Sequence, residues 1–238
     1  MGADGNASEA YLKMNTPTRI TFTGVDERTD LGRLIELSKR FPACEWGVLF
    51  SQDRQSFDNR YPSESVIQSV YRAINEDKLY FAAHLCGNYA NSVVRGWYED
   101  LPLSKFDYFD RIQVNHRSSE RKCLVDFSNR VNRWVIGQSR DAEKFPVDQS
   151  ERGDRVTWLY DASGGRGVEP SAWPRNDTSW TVGYAGGINP DNVVRINETV
   201  GKLSSSYWLD METGVRTDGW FDLDKVEKIL VSIYSGPG

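Results

Sequence analysis

Cysteine is scarce in this chain, with Cys44, Cys86 and Cys123 the three among 238 residues. Their odd number and wide spacing exclude a disulfide framework and a zinc signature, and they fit a reducing, cytoplasmic setting. Histidine is scarcer, with only His84 and His116, so no paired-histidine spacing points to a metal centre. Basic charge is not in excess. The 29 Lys and Arg against 34 Asp and Glu leave a net charge of −5, which offers no field for nucleic acid or an anionic membrane. No apolar run approaches the ~20 residues of a membrane-spanning helix, and Met1 to Met14 carry no apolar signal core. No Gly-x-Gly-x-x-Gly follows the first apolar run and no short-period repeat occurs, which disfavours a dinucleotide-binding sheet and a solenoid.

What is present is a globular balance, 39% hydrophobic and 26% charged. Residues 1–17 read as a loose leader, and 18–238 as a single domain. Within it lie eight short apolar runs: Ile20–Val25, Trp46–Phe50, Leu79–Leu85, Ile112–Val114, Trp134–Ile136, Val156–Tyr160, Trp180–Ala185 and Tyr207–Leu209. They hardly alternate with polar residues, which is how strands covered on both faces read. Helical stripes lie between them: Leu31, Leu34 and Ile35 after Asp30; Val66, Ile67, Val70 and Tyr71 after Ser63; Val226, Ile229, Leu230 and Ile233 after Asp222. Asn189-Pro190-Asp191 reads as a helix start with proline at the first position. The polar stretch from Asp141 to Gly153 predicts only a short helix. Eight strand–helix units in this length predict an α/β fold, the (β/α)₈ or TIM barrel, typically ~250 residues long.

Such barrels place their chemistry where strands run into the following loops. Read at that position, the eight runs give Thr23, Ser51, His84, Asn115, Gln138, Asp161, Gly186 and Asp210. Three glycine-bearing loops follow the last three runs, around Gly164-Gly165-Arg166-Gly167, Gly186-Gly187 and Thr213-Gly214. Bare backbone N–H groups in such loops can converge on a phosphate; glycine can equally serve only to turn the chain.

These segments resemble phosphoribosylanthranilate isomerase from Ile20 to Ile233. Leu159-Tyr160-Asp161 with Gly164–Gly167 and Trp173 resembles that family's sixth-strand segment. Ala185-Gly186-Gly187-Ile188-Asn189-Pro190 is similar to its seventh-strand phosphate motif, and Leu209-Asp210-Met211-Glu212-Thr213-Gly214-Val215 to its eighth. Asn59-Arg60-Tyr61-Pro62-Ser63 and Ile112-Gln113-Val114-Asn115 are weaker echoes upstream. The resemblance implies an Amadori rearrangement of a small phosphorylated sugar amine, with no cofactor and no metal. It implies Asp161 as the acid, a carboxyl kept protonated by its apolar neighbours Leu159 and Tyr160. Arg60 would bind a substrate carboxylate, and Asp210 would contact substrate or stand behind it. Gly165, Gly167, Gly186, Gly187, Thr213 and Gly214 would bind phosphate.

The chain departs from this pattern at the base. Thr23 stands where the family has its proton-accepting cysteine, and a hydroxyl is a far weaker base than a thiolate. His84 is the expected replacement, with Asp26 and Cys86 behind it. Glu212 stands in place of a phosphate-contacting serine. Three functions stay open: an isomerase with altered base or substrate; a metal-dependent epimerase or lyase using His84, Asp161 and Asp210; and a barrel that has lost catalysis and binds a phosphorylated ligand or a protein partner. Oligomeric state is left open.

Overall fold

All eight apolar runs become strands in the computed structural model, which describes residues 16–146 and 154–234. They are β1 (Arg19–Thr23), β2 (Cys44–Phe50), β3 (Phe81–Leu85), β4 (Arg111–Val114), β5 (Trp134–Ser139), β6 (Val156–Tyr160), β7 (Val182–Ala185) and β8 (Tyr207–Met211). Each pairs in parallel with the next, and β8 closes on β1. The expected (β/α)₈ barrel is therefore present. The leader expected over 1–17 lies, except for Thr16 and Pro17, outside the described residues.

Strand ends differ from expectation for a physical reason. β5 continues past Ile136 to Ser139 and β8 past Leu209 to Met211. Gln138 and Asp210 therefore stand inside strands, since a polar side chain tied by hydrogen bonds within the barrel does not break the ladder. β1 stops at Thr23, before Gly24, whose φ is 142°.

The helices are α1 (Leu31–Arg40), α2 (Glu64–Asp77), α3 (Asn88–Arg95), α4 (Leu103–Phe106), α5 (Arg121–Val131), α6 (Val193–Leu203) and α7 (Leu223–Tyr234). Asp30 caps α1 by accepting from Arg33 N at 3.1 Å, and Asp222 likewise accepts from Asp224 N at 2.9 Å. The start expected at Asn189 is corrected. Asn189 sits in a turn, and α6 begins four residues later, after Asn192, whose Oδ1 accepts from Asn189 N at 2.8 Å.

Two of the eight expected helices are absent from the described residues. Between β5 and β6, residues 140–146 and 154–155 are not helical; the rest of the stretch expected to hold a short helix lies outside the described residues. Residues 161–181, between β6 and β7, hold no helix either. Glycine and proline break the helical ladder there, and aromatic side chains cover the strands instead. Phe145 packs on Tyr160 and Tyr184, with ring centroids 5.6 Å away in both cases. Trp173 packs on the same two rings at 6.3 and 6.0 Å. A long irregular loop is thereby held against the barrel wall while its first residues reach the mouth.

A polar plug fills the opposite end of the barrel. Glu45, wholly buried in β2, accepts from Arg111 Nε at 2.8 Å and from Thr21 Oγ1 at 2.9 Å. Above it Ile136, Leu159, Ala185 and Trp208 form the apolar layer beneath the mouth.

Candidate active site at the barrel mouth

Thr23, His84, Arg60, Asp161 and Asp210 line one cavity of about 350 Å³ at the C-terminal ends of the strands. Gly165, Gly167, Gly186, Gly187, Thr213 and Gly214 line the same cavity. Residues far apart in the chain thus meet because eight parallel strands deliver their ends to one rim.

Asp210 lines the cavity from a buried position near the end of β8. Thr23 Oγ1 donates to its Oδ1 at 2.9 Å, and Gln113 Nε2 to its Oδ2 at 3.2 Å. Burial raises the carboxyl to about 7, against the lowering pull of those two bonds and with a further upward push from the Asp161 and Glu45 charges. Thr23 is accordingly committed as a donor to Asp210 rather than offering a free oxygen as a base. Its side chain crosses Gly47 of β2, where an added Cβ would lie 2.4 Å from Thr23 Oγ1.

Asp161 sits in opposite surroundings. Its Oδ1 accepts from Ser163 N at 3.0 Å, Ser163 Oγ at 2.8 Å and Gly164 N at 3.1 Å. Its Oδ2 accepts from Gln138 Nε2 at 3.0 Å and Gly165 N at 2.6 Å. Five donors surround it rather than the apolar shell expected from Leu159 and Tyr160, and Tyr160 faces outward against Phe145 and Trp173. Every partner is a donor, so both side-chain oxygens act as acceptors and anchor the glycine loop. The expectation that Gly165 offers its N–H to phosphate is corrected for the same reason: that N–H is spent on Asp161. Gly167, Gly186 and Gly187 differ, since their N–H groups donate to no protein acceptor among the described residues. Gly186 and Gly187 have φ of 123° and 65°, and a Cβ on Gly187 would meet Glu169 N at 2.5 Å. Their glycines are required by both conformation and space.

His84 is buried beside Thr23 and Gln113. Burial lowers its imidazole to about 4, which makes it a poor proton acceptor. Its Nδ1 lies 3.2 Å from Gln113 Nε2 and 3.5 Å from Thr23 Oγ1, and its buried Nε2 has no partner. Cys86 is similarly placed: burial pushes its thiol up, and Sγ accepts from Asn115 Nδ2 at 3.3 Å. Asp26 lies outside the cavity and accepts from Phe221 N at 2.7 Å, tying down the hairpin of β9 (Arg216–Thr217) and β10 (Trp220–Phe221). Among the described residues no three His, Cys, Asp or Glu side chains are grouped to hold an ion.

Arg60 does not project freely into the cavity. Its Nε and NH2 reach Glu212 Oε1 at 2.7 and 2.5 Å. Burial pushes the Glu212 carboxyl up while Arg60 and Arg216 draw it back, and burial prevails. Arg54, Arg140 and Arg166 also line the cavity. Arg140 was the least visible of these in the sequence; its signal was its place just beyond Gln138 and Ser139 at the end of β5.

The family model of N-(5'-phosphoribosyl)anthranilate isomerase matches residues 108–232, just over half of the chain. No curated protein sequence matches. Among solved structures, the phosphoribosyl anthranilate isomerase from Thermococcus kodakaraensis is similar with a TM-score of 0.55 at 14% identity. The N-(5'-phosphoribosyl)anthranilate isomerase from Pyrococcus furiosus gives 0.56 at 16%. A monomeric form of the dimeric enzyme from Thermotoga maritima gives 0.58 at 15%. Each alignment covers 92% of this chain and 100% of the other. At these identities the structural likeness speaks for the fold.

Proposed function

This chain belongs to the N-(5'-phosphoribosyl)anthranilate isomerase family, and from that premise we propose that its barrel mouth rearranges a phosphorylated sugar amine with Asp210 as the proton carrier. The observation that carries the reading is the Asp210 carboxyl, buried on the cavity wall and raised to about 7. Near neutrality it is divided between acid and base, the condition under which proton transfer in both directions is efficient. As the acid it protonates the ring oxygen of the sugar. The ring C–O bond breaks, and the nitrogen lone pair forms the C=N bond. The resulting Asp210 carboxylate takes the proton from the second carbon, and the electrons of that C–H bond form a C=C bond as the C=N pair returns to nitrogen. Asp210 is then protonated again, and tautomerisation of the enaminol yields the amino-ketone. One carboxyl thus covers both proton transfers although no cysteine stands at the Thr23 position.

The N–H groups of Gly186 and Gly187, with the Thr213–Gly214 turn, supply the phosphate anchor in this reading. Thr23 and Gln113 hold the Asp210 carboxyl, and Asp161 holds the loop that frames it.

The test is turnover of a phosphoribosyl arylamine against pH. Asp210→Asn should lower kcat by roughly 10²–10⁴-fold with little change in ligand binding. Wild-type kcat/KM should fall as pH rises through about 7. Thr23→Val removes a bond that lowers Asp210, so its alkaline limb should move to higher pH. An Asp210→Asn variant as active as wild type rejects the assignment. The departure at Thr23 favours a second reading, a barrel that binds phosphorylated ligands without turning them over; tight binding with no wild-type turnover would establish it.

A further inference from the structure

Arg60 and Glu212 form a pair that the proton chemistry does not use, though both line its cavity. A guanidinium presents a rigid fork of donors suited to a carboxylate. Here one edge of the fork is engaged from within the chain: Arg60 Nε donates to Glu212 Oε1 at 2.7 Å, and NH2 lies 2.5 Å from the same oxygen. The Glu212 side chain is 17% exposed and that of Arg60 37%, so a second anion there would meet a cation already paired with a largely buried carboxylate. Its other oxygen, Oε2, accepts no bond among the described residues, leaving an acceptor on the cavity wall.

We infer that Glu212 is a specificity-determining residue: it occupies the carboxylate receptor at Arg60 and turns that side of the mouth toward ligands that donate hydrogen bonds there. The substrate class is then a phosphorylated sugar amine whose nitrogen substituent carries a hydroxyl, amide or other donor in place of a carboxylate. A ligand carboxylate would need to displace Glu212 from Arg60, leaving a largely buried negative charge without its partner. An amide N–H would instead satisfy Oε2 and leave the Arg60–Glu212 pair intact. The inference rests on the reading of the mouth as a phosphosugar-amine site.

Binding tests it without requiring turnover. Three non-reacting open-chain probes, 5-phosphoribitylamines N-substituted with phenyl, 2-carboxyphenyl or 2-carbamoylphenyl, are titrated calorimetrically into wild type, Glu212→Ser and Glu212→Gln. Wild type should bind the carbamoyl probe most tightly and the carboxyl probe at least about 10-fold more weakly, since like charges brought together in an interface are strongly disfavoured. Both variants should reverse that order. Two substitutions of different size separate a charge effect from a local folding defect. A wild-type preference for the carboxyl probe, or an order unchanged in both variants, overturns the inference. If no probe binds, the phosphosugar reading fails and the inference with it. Binding in the expected order without turnover removes only the catalytic assignment.

Discussion

Asp161 and Asp210 share one cavity and carry the same functional group, yet their neighbours assign them different work. Asp210 meets a threonine hydroxyl and one amide in a buried position at the end of β8, and its proton affinity rises. Asp161 meets five donors, three of them consecutive backbone N–H groups. An amide at position 161 would turn an NH2 toward some of those donors, and each buried donor left unpaired costs about 1–3 kcal/mol. Asp161→Asn should therefore lower the melting temperature and raise KM, with a smaller change in kcat. Thermal melts and steady-state kinetics on one preparation check this. A variant of full stability whose loss is confined to kcat, at about 10²–10⁴-fold, would return the acid role to Asp161.

At the scale of elements, the glycine loops divide by what their backbones do. Gly165 has φ of 84° and open space around its missing Cβ, and its N–H is bonded within the loop. Gly187 combines a φ of 65° with a close approach to the backbone of Glu169, it lines the cavity, and its N–H has no acceptor among the described residues. Gly165→Ala should cost about 1–2 kcal/mol through backbone conformation alone and retain stabilisation by inorganic phosphate. Gly187→Ala should cost more and abolish that stabilisation. A phosphate-dependent thermal shift on both variants reads the difference; its loss in Gly165→Ala but not in Gly187→Ala would exchange the two assignments.

At the scale of the molecule, two buried groups oppose each other as pH changes. Asp210 is raised from 3.8 to about 7, so its stabilising contribution is complete below pH 3.8 and is lost as pH rises through 7. His84 is lowered from 6.5 to about 4, so its contribution is complete above pH 6.5 and is lost as pH falls through 4. Between about pH 4 and 6.5 the two slopes have opposite sign and largely offset one another. Relative to wild type, Asp210→Asn should become more stable as pH rises from 4 to 7, and His84→Gln less stable from 4 to 6.5. Denaturant unfolding of both variants across that range supplies the measurement, and relative stabilities that stay flat with pH would show that neither group titrates as its burial implies.

Much of this protein was legible in one dimension because its signals are local. Unalternating apolar runs such as Trp46–Phe50 announce strands covered on both faces, and their number announces a closed barrel. Residues at the ends of those runs had to share a rim, so the positions of Thr23, His84, Asp161 and Asp210 around one cavity could be read from their order in the chain. The covering of β6 and β7 was decided in space, where Phe145 and Trp173 take the place of helices. The tertiary structure also decided what each polar residue faces. Five donors converge on Asp161, Arg60 is bonded to Glu212 across 152 residues, and Thr23 to Asp210 across 187. Proton affinity depends on burial and on partners within a few ångströms, and closure of the barrel, not sequence spacing, brings those partners together.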